Sequence, residues 1–369
     1  ERFAPYISYQ AIEVKPEPNS LKEAVKEKAW RQSIIKEFRA HINNGTWIPI
    51  NKVPQGRNAI GYKMIFKNKY NELMELVKLK TRIVFKGYRQ VEGIDYFETF
   101  APVVKISTVL VILAMIAHFD LFTCQMDVNT AFIQSKLKDG EELYMEMPPI
   151  YEYLLKNPEA TDFPDEAIQI TQPYVKLVKS LYGTKQAPRV WNQCIDKFFK
   201  ELGLQPCKSD PCCYLKIQGK KILIVLLYVD DLLIAGTSQG VIQELKTQLN
   251  KRFEMSDLGE VSHLLGMHIT RDRQRKMLFI NQKAYISKAL ERFGLSECNP
   301  TIIAMDPNTK LKKLNKDEVC TSKPYRSLIG TLLYAASHTR PDISYGVSYL
   351  SRFMENPSEE HWNYAKRIL

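Results

Sequence analysis

The run Leu226-Leu227-Tyr228-Val229-Asp230-Asp231-Leu232-Leu233-Ile234 sets two adjacent carboxylates between two apolar segments, Ile222–Leu227 and Leu232–Ala235. Side by side, two aspartates repel each other unless a cation joins them. A hard divalent ion such as Mg²⁺ suits them, with phosphate oxygens completing its shell. That is phosphoryl chemistry. A two-metal centre needs a further carboxylate from elsewhere in the chain. Asp127 meets the need, at the end of the short apolar run Leu121–Met126. Alone, Asp-Asp reads as a polar turn and a strand-end Asp as a cap of the next turn. Their pairing is what points to a metal centre.

The elements that must position these residues follow from apolar spacing. Ile222–Leu227 and Leu232–Ala235 are too short for helices and rich in Ile, Val and Leu, so they read as buried strands. The tight polar link makes a β-hairpin with the aspartates at its tip, although Val-Asp-Asp lacks the favoured Gly or Asn. Leu121–Met126 is predicted to be a strand that releases Asp127 at its end, and Ile106–Ala117 an apolar helix. Ser20 with Glu23 is a capping box, predicting a helix to Asn43 that carries Trp30, Ile34, Ile35 and Phe38. Trp47–Ile50, Tyr62–Lys67 and Lys80–Gly87 read as strands. The last two bear Lys63, Lys67, Lys80, Arg82 and Lys86, which could neutralise a triphosphate or a template backbone. Most of these lysines read simply as a solvated face. Arg82 lies between apolar neighbours and needs a partner.

Residues 138–172 are acidic and read as a surface hairpin and loop. An amphipathic helix follows Leu181–Trp191 to about Leu202, stopped by Gly203. Further helices are predicted over 238–253 and Gln282–Phe293, and a strand pair over 254–281 with Leu264–Ile269 as one strand. The tail, Tyr325–Leu369, is helical with an interruption at Arg340-Pro341-Asp342.

With 369 residues, two or more subdomains are expected. Lys and Arg number 52 against 41 Asp and Glu, a net charge of +11 that suits a polyanionic partner. Charge alone would fit any soluble basic protein. Seven cysteines without C-x-x-C pairs suggest reduced thiols in an intracellular compartment. Cys207, Cys212 and Cys213 have no histidine at finger spacing, which argues against zinc. No apolar run has membrane-spanning length, so no membrane partner is expected. The chain opens at Glu1 without Met and stops inside an expected helix, which reads as a fragment of something longer.

Four blocks carry a resemblance. They are Lys80–Tyr88 followed by Gly93–Val103, Gln125–Phe132, Leu181–Trp191, and Leu227–Asp231. Phe253–Gly259, Leu265–Met267, Tyr325–Gly330 and Thr339–Asp342 add to it in the same order. Together they resemble the reverse transcriptase of copia-type long-terminal-repeat retrotransposons, part of their Pol polyprotein. The match covers about residues 20–369. Thr184, Asn192 and Phe85 depart from the family pattern, and none of them removes a carboxylate.

The resemblance implies an α+β right-hand polymerase fold, with an antiparallel palm sheet and the start of a connection region. Residues 1–19 would be a linker or arm, 20–244 fingers and palm, 245–300 thumb, and 301–369 the connection leading toward a ribonuclease H domain. It implies RNA- and DNA-directed DNA synthesis on a primer 3′-hydroxyl, with two Mg²⁺ ions, or Mn²⁺ in their place. Asp127 and Asp230 would be direct ligands, the Val128 carbonyl a further one, and Asp231 a ligand or a charge. Gln186 would touch the nucleotide, Arg82 and Lys67 its phosphates, and Phe132 would bar a ribose 2′-hydroxyl. Tyr228, Leu265, Gly266 and Met267 would hold the primer. Partners would be primer with RNA or DNA template, dNTPs, and the protease, integrase and ribonuclease H parts of the polyprotein, none visible in this sequence. A cytoplasmic virus-like particle is the family's setting. Two other classes stay open: a nucleic-acid-binding protein that keeps the fold without extending primers, and a nuclease or cyclase, for which no motif is present.

Overall fold

Short apolar runs bounded by turn residues become strands in the computed structural model, and longer runs at helical spacing become helices. The structure describes residues 16–70, 76–138, 140–150, 170–314 and 320–369. Most of the expected arm over 1–19, and 151–169 of the acidic stretch, lie outside the described residues. The strands in chain order are β1 (Trp47–Ile50), β2 (Ala59–Ile60), β3 (Tyr62–Tyr70), β4 (Leu76–Phe85), β5 (Phe122–Val128), β6 (Leu143–Glu146), β7 (Tyr174–Leu177) and β8 (Gln205–Pro206). They continue with β9 (Cys213–Gln218), β10 (Lys221–Tyr228), β11 (Asp231–Gly236), β12 (Met255–Gly259), β13 (His263–Leu264), β14 (Met267–Asp272) and β15 (Met277–Asn281). Helices and sheets together make an α+β protein. Among the described residues no helix is long and apolar enough to cross a membrane.

Contacts divide the chain into two units, one joining Glu1–Val103 to Val128–Leu204, the other Val104–Asp127 to Gln205–Leu369. Neither boundary falls at residue 244 or 300. In the first unit the helix Lys28–Asn43 places Trp30, Ile34, Ile35 and Phe38 on one buried face, as their spacing requires. They share a core with Phe66, Ile83 and Phe85 of the antiparallel β3–β4 hairpin and with Trp47, Met145, Val175 and Leu177 of a sheet ordered β1-β7-β6-β2. The helix expected to run unbroken from Ser20 is interrupted. Ser20 caps Glu23 at 3.2 Å, but that helix covers only Leu21–Ala24. Arg31 Nη1 takes the Val25 carbonyl at 2.9 Å and the Lys26 carbonyl at 3.2 Å, drawing both away from a helical ladder. Glu23 reaches the Asn19 N–H rather than that of Ser20, so the box is incomplete.

The second unit is built on a six-stranded sheet ordered β12-β5-β11-β10-β9-β8. Its middle strands are apolar because both faces are covered: Ile224, Val225, Leu226, Leu227, Leu232, Leu233 and Ile234 are all buried. The helix Gln239–Arg252 packs on β10 and β11 through Ile242, Leu245 and Leu249. The predicted apolar helix, Ile106–His118, lies in this unit, and the predicted amphipathic helix, Ala187–Glu201, in the other. The strand expected over Leu264–Ile269 is broken. Leu265 and Gly266 take φ of 48° and 72°, the chain reverses, and β13 pairs with β14. At the C-terminal end, helices Tyr325–His338, Ser344–Ser351 and Glu359–Ile368 share a core of Leu328, Ile329, Leu332, Val347, Leu350 and Trp362. A 3-10 turn at Pro341–Ile343 supplies the expected interruption.

Candidate active site

β10 and β11 form the expected hairpin, closed by the pair Tyr228↔Asp231. Only Val229 and Asp230 remain for the turn. With no Gly or Asn available, Val229 itself takes φ 57°. A β-branched residue there is rare and costs about 1–3 kcal/mol. The buried leucines behind the turn hold it in place.

Register then does what composition could not. The antiparallel β11–β5 pairing sets Asp231 directly opposite Asp127. Tyr228, Asp231 and Asp127 therefore form one row on one face of the sheet. Tyr228 is 37% exposed, an aromatic at the edge of the acidic row. Like charges directly opposite each other are destabilising. Burial first, then the charges of Asp230 and Asp127, push the Asp231 carboxyl up to about 6. Val128 ends β5, one residue beyond the last β5–β11 pair.

Among the described residues, no three His, Cys, Asp or Glu side chains are gathered closely enough to hold a metal unaided. Mg²⁺ does not require that. It is commonly held by one or two carboxylates, with water and substrate phosphates making up the shell. A row of hard oxygen donors, with one carboxyl raised by burial and then by its neighbours' charge, fits such an ion.

That raised carboxyl has a measurable consequence. Its folded pKa lies above the unfolded one, so Asp231 favours the folded state fully at low pH, and this contribution is lost as pH rises through about 6. In chelator, Asp231→Asn is expected to be at least as stable as wild type at pH 7.5, with the gap closing toward pH 4.5. Melting temperatures of both proteins across that range check it. An Asn variant less stable at pH 7.5 would mean that the acidic row is not repulsive.

The first unit brings together Arg82, Phe132 and a residue to which sequence reasoning gave no role, Tyr182. The Arg82 guanidinium lies 4.4 Å from the Tyr182 ring centroid, and its Nη2 donates to the Tyr182 hydroxyl at 3.4 Å. Phe132 meets the same ring edge-on at 5.0 Å. Arg82 thus has the partner its apolar setting called for. Tyr182 is held by its backbone: its carbonyl accepts from the Phe85 N–H at 2.7 Å, and Gly183 follows at φ 90°. Phe132 is aimed by the turn Ala131–Gln134, entered through Thr130 at φ 55°, and its carbonyl accepts from Ser180 Oγ at 2.6 Å. An aromatic just ahead of a glycine, between a strand and a helix, was the available signal for Tyr182.

Lys67 is exposed and stands opposite Lys80 on the outer face of the β3–β4 hairpin, where its ammonium pairs with Glu17. That contact and the Asn68 N–H hold the Glu17 carboxyl below its usual range.

Two expected contact residues are buried. Gln186 is 0% exposed, its Nε2 donating to the Asp95 carbonyl at 3.0 Å and its Oε1 accepting from Gln90 at 2.9 Å. Its amide is thus bonded to Gln90 and Asp95, in the segment that follows β4. Met267 is also 0% exposed, because it faces the core side of β14. Of the expected primer triplet, Leu265 and Gly266 remain at the surface turn. Two of the departures from the family pattern are absorbed by packing. Thr184 is buried and donates to the Leu181 carbonyl at 2.9 Å, and Phe85 fills the core.

Comparison with known proteins follows this geometry. The profile of the family described as Reverse transcriptase (RNA-dependent DNA polymerase) matches residues 44–307. The retrovirus-related Pol polyprotein from transposon TNT 1-94 of Nicotiana tabacum is 38% identical over 100% of this chain, which spans 27% of that protein. The corresponding polyprotein from transposon RE1 of Arabidopsis thaliana is 35% identical over 97% of the chain, which spans 23% of it. A transposon Ty5-1 protein of Saccharomyces cerevisiae is 33% identical over 66% of the chain and 74% of its own length. This chain therefore corresponds to about a quarter of the length of the Pol polyproteins. Among solved structures, a foamy viral protease-reverse transcriptase in complex with double-stranded DNA aligns with a TM-score of 0.45 and 12% identity, over 91% of this chain and 47% of that one.

Proposed function

Because this chain belongs to the reverse transcriptase family, we propose that it extends a primer 3′-hydroxyl with deoxynucleoside triphosphates, copying RNA and DNA templates by two-metal nucleotidyl transfer. The observation that carries this reading is the row of Asp127 and Asp231, in register across β5 and β11, with Asp230 in the adjoining turn. In this reading Asp127 and Asp230 are direct ligands, the Val128 carbonyl adds an oxygen, and Asp231 serves mainly through charge. Bound Mg²⁺, or Mn²⁺ in its place, would stabilise the attacking and leaving oxygens. Arg82, held against Tyr182, binds triphosphate oxygens, and Lys67 joins it once Glu17 is displaced. Leu265 and Gly266 hold the primer terminus, with Tyr228 beside the acidic row. Fingers, palm, thumb and connection follow the segments given above. The polyprotein's protease, integrase and ribonuclease H would be its neighbours, in a cytoplasmic virus-like particle.

Primer extension tests this directly. Purified protein with Mg²⁺ and dNTPs is expected to lengthen a labelled primer on both an RNA and a DNA template. A protein that shifts primer–template in a gel yet adds no nucleotide would favour the binding-module alternative.

Phe132 gives a finer test. Its ring stands against Tyr182 beside the proposed phosphate-binding Arg82. An aromatic wall excludes a 2′-hydroxyl by overlap, and by offering it no partner once desolvated. Phe132→Val is therefore expected to raise CTP relative to dCTP use about tenfold, a change of roughly 1.4 kcal/mol in discrimination. The measurement is kcat/KM for both nucleotides on one primer–template. Equal losses for both would make Phe132 a packing residue.

A further inference from the structure

The turn between β13 and β14 is held from outside its own sheet. Leu265 and Gly266 are both left-handed, at φ 48° and 72°. A two-residue hairpin turn with both central residues left-handed favours Asn-Gly or Gly-Gly, and leucine at the first position is strained. The Tyr334 hydroxyl, on the helix Tyr325–His338, donates to the Leu265 carbonyl at 2.6 Å. Gly266 completes the fit, since a Cβ there would lie 2.4 Å from the Tyr334 oxygen.

Tyr334 is itself aimed. Its ring packs between those of Tyr285, at 4.7 Å, and His338, at 4.2 Å. The Tyr285 hydroxyl donates to the Thr331 carbonyl at 3.3 Å, on the same helix as Tyr334. Gln282 is buried alongside, and its Oε1 accepts from Thr339 Oγ1 at 2.8 Å. Burial raises the Tyr334 phenol above its usual range, with further pushes from Tyr285 and from Tyr228, the aromatic of the acidic row. The phenol stays protonated and can donate at any working pH.

We propose that Tyr334 is a positioning residue for primer extension: its hydroxyl fixes the Leu265–Gly266 turn, so the C-terminal helical cluster sets where the primer terminus stands. This rests on the reading of that turn as the primer-holding element. A strained turn held by an external tether moves when that tether is cut. A displacement of about 1 Å at a reacting group can cost up to about a hundredfold in rate.

The test uses the full chain with a labelled primer–template. Tyr334→Phe keeps the ring and removes the tether. It is expected to dissociate from primer–template about tenfold faster, since the loss of one contact acts mainly on the off-rate, while KM for the nucleotide stays put. Leu265→Ala, which trims the turn's half-buried side chain, is expected to do the same. Gly266→Ala should harm primer retention less when combined with Tyr334→Phe than in wild type, because the clashing oxygen is gone. Fast dissociation for Leu265→Ala with a wild-type rate for Tyr334→Phe would overturn the role of Tyr334. Wild-type rates for both would overturn the primer-holding reading of the turn. If Tyr334→Phe lowers melting temperature, nucleotide affinity and rate together, Tyr334 is only structural and the proposal falls.

Discussion

Asp127→Asn and Asp230→Asn are each expected to lower primer extension by at least about a hundredfold without lowering melting temperature. Asn keeps the shape of Asp and removes one negative charge. In the register of β5 against β11, that charge at Asp127 faces Asp231 directly. It is one of the influences that push Asp231 up to about 6. Removing it relieves this repulsion in the metal-free protein, and Asn keeps an oxygen acceptor in the same place. In the proposed reading activity would depend on the same charge in the opposite sense, because a cation held by the carboxylates would offset the charge that develops on the reacting oxygens. Losing one preorganised electrostatic partner typically costs about 10²–10³ in kcat. Single-nucleotide extension rates and melting curves, measured in Mg²⁺ and in chelator, test both halves. A variant that extends at near wild-type rate in Mg²⁺ would show that the metal is held elsewhere. A variant that melts well below wild type in chelator would show that the aspartate was structural.

Gly183→Ala is expected to cost about 3–4 kcal/mol of stability, combining a left-handed backbone with overpacking. Gly183 has φ +90°, and a Cβ there would lie 2.2 Å from the Phe85 carbonyl oxygen and 2.7 Å from Val84 Cγ1. The obstruction is backbone and cannot swing aside, because the Phe85 N–H is bonded to the Tyr182 carbonyl at 2.7 Å. A second approach lies next to it, since a Cβ on Gly87 would meet the Gly183 carbonyl oxygen at 2.0 Å. The two strand-end loops pass so closely that only hydrogen fits. Gly219→Ala is the control, at φ +59° with nothing within 4 Å of its Cβ, so it carries the backbone term alone. The expected result is a clearly lower urea midpoint for Gly183→Ala than for Gly219→Ala. Triphosphate binding should also weaken, because Tyr182 is carried by this junction. Equal midpoints for the two variants would mean that the loops separate freely and that Tyr182 is not fixed by them.

What the sequence determined by itself was local. Ile222–Leu227 and Leu232–Ala235 could only be short buried strands, and Trp30, Ile34 and Phe38 could only share one helical face, because these patterns repeat within a few residues. The acidic tip, the basic hairpin carrying Arg82, and the break at Pro341 were legible for the same reason. The family blocks added the roles. The tertiary structure decided what depends on distant partners. That Asp127 stands opposite Asp231 follows from a strand register set across about a hundred residues of chain, and a slip of one residue would turn either side chain to the other face. Tyr182 between Arg82 and Phe132 exists only because a loop lacking a Cβ can press against β4. Gln186 and Met267 lie inside instead of at a surface, since burial is fixed by what packs over a residue and not by its neighbours in sequence. The early break at Val25 has the same origin: Arg31, on the next helix, competes for its carbonyl. Local propensity selects the elements, and only packing and register choose which of their side chains meet.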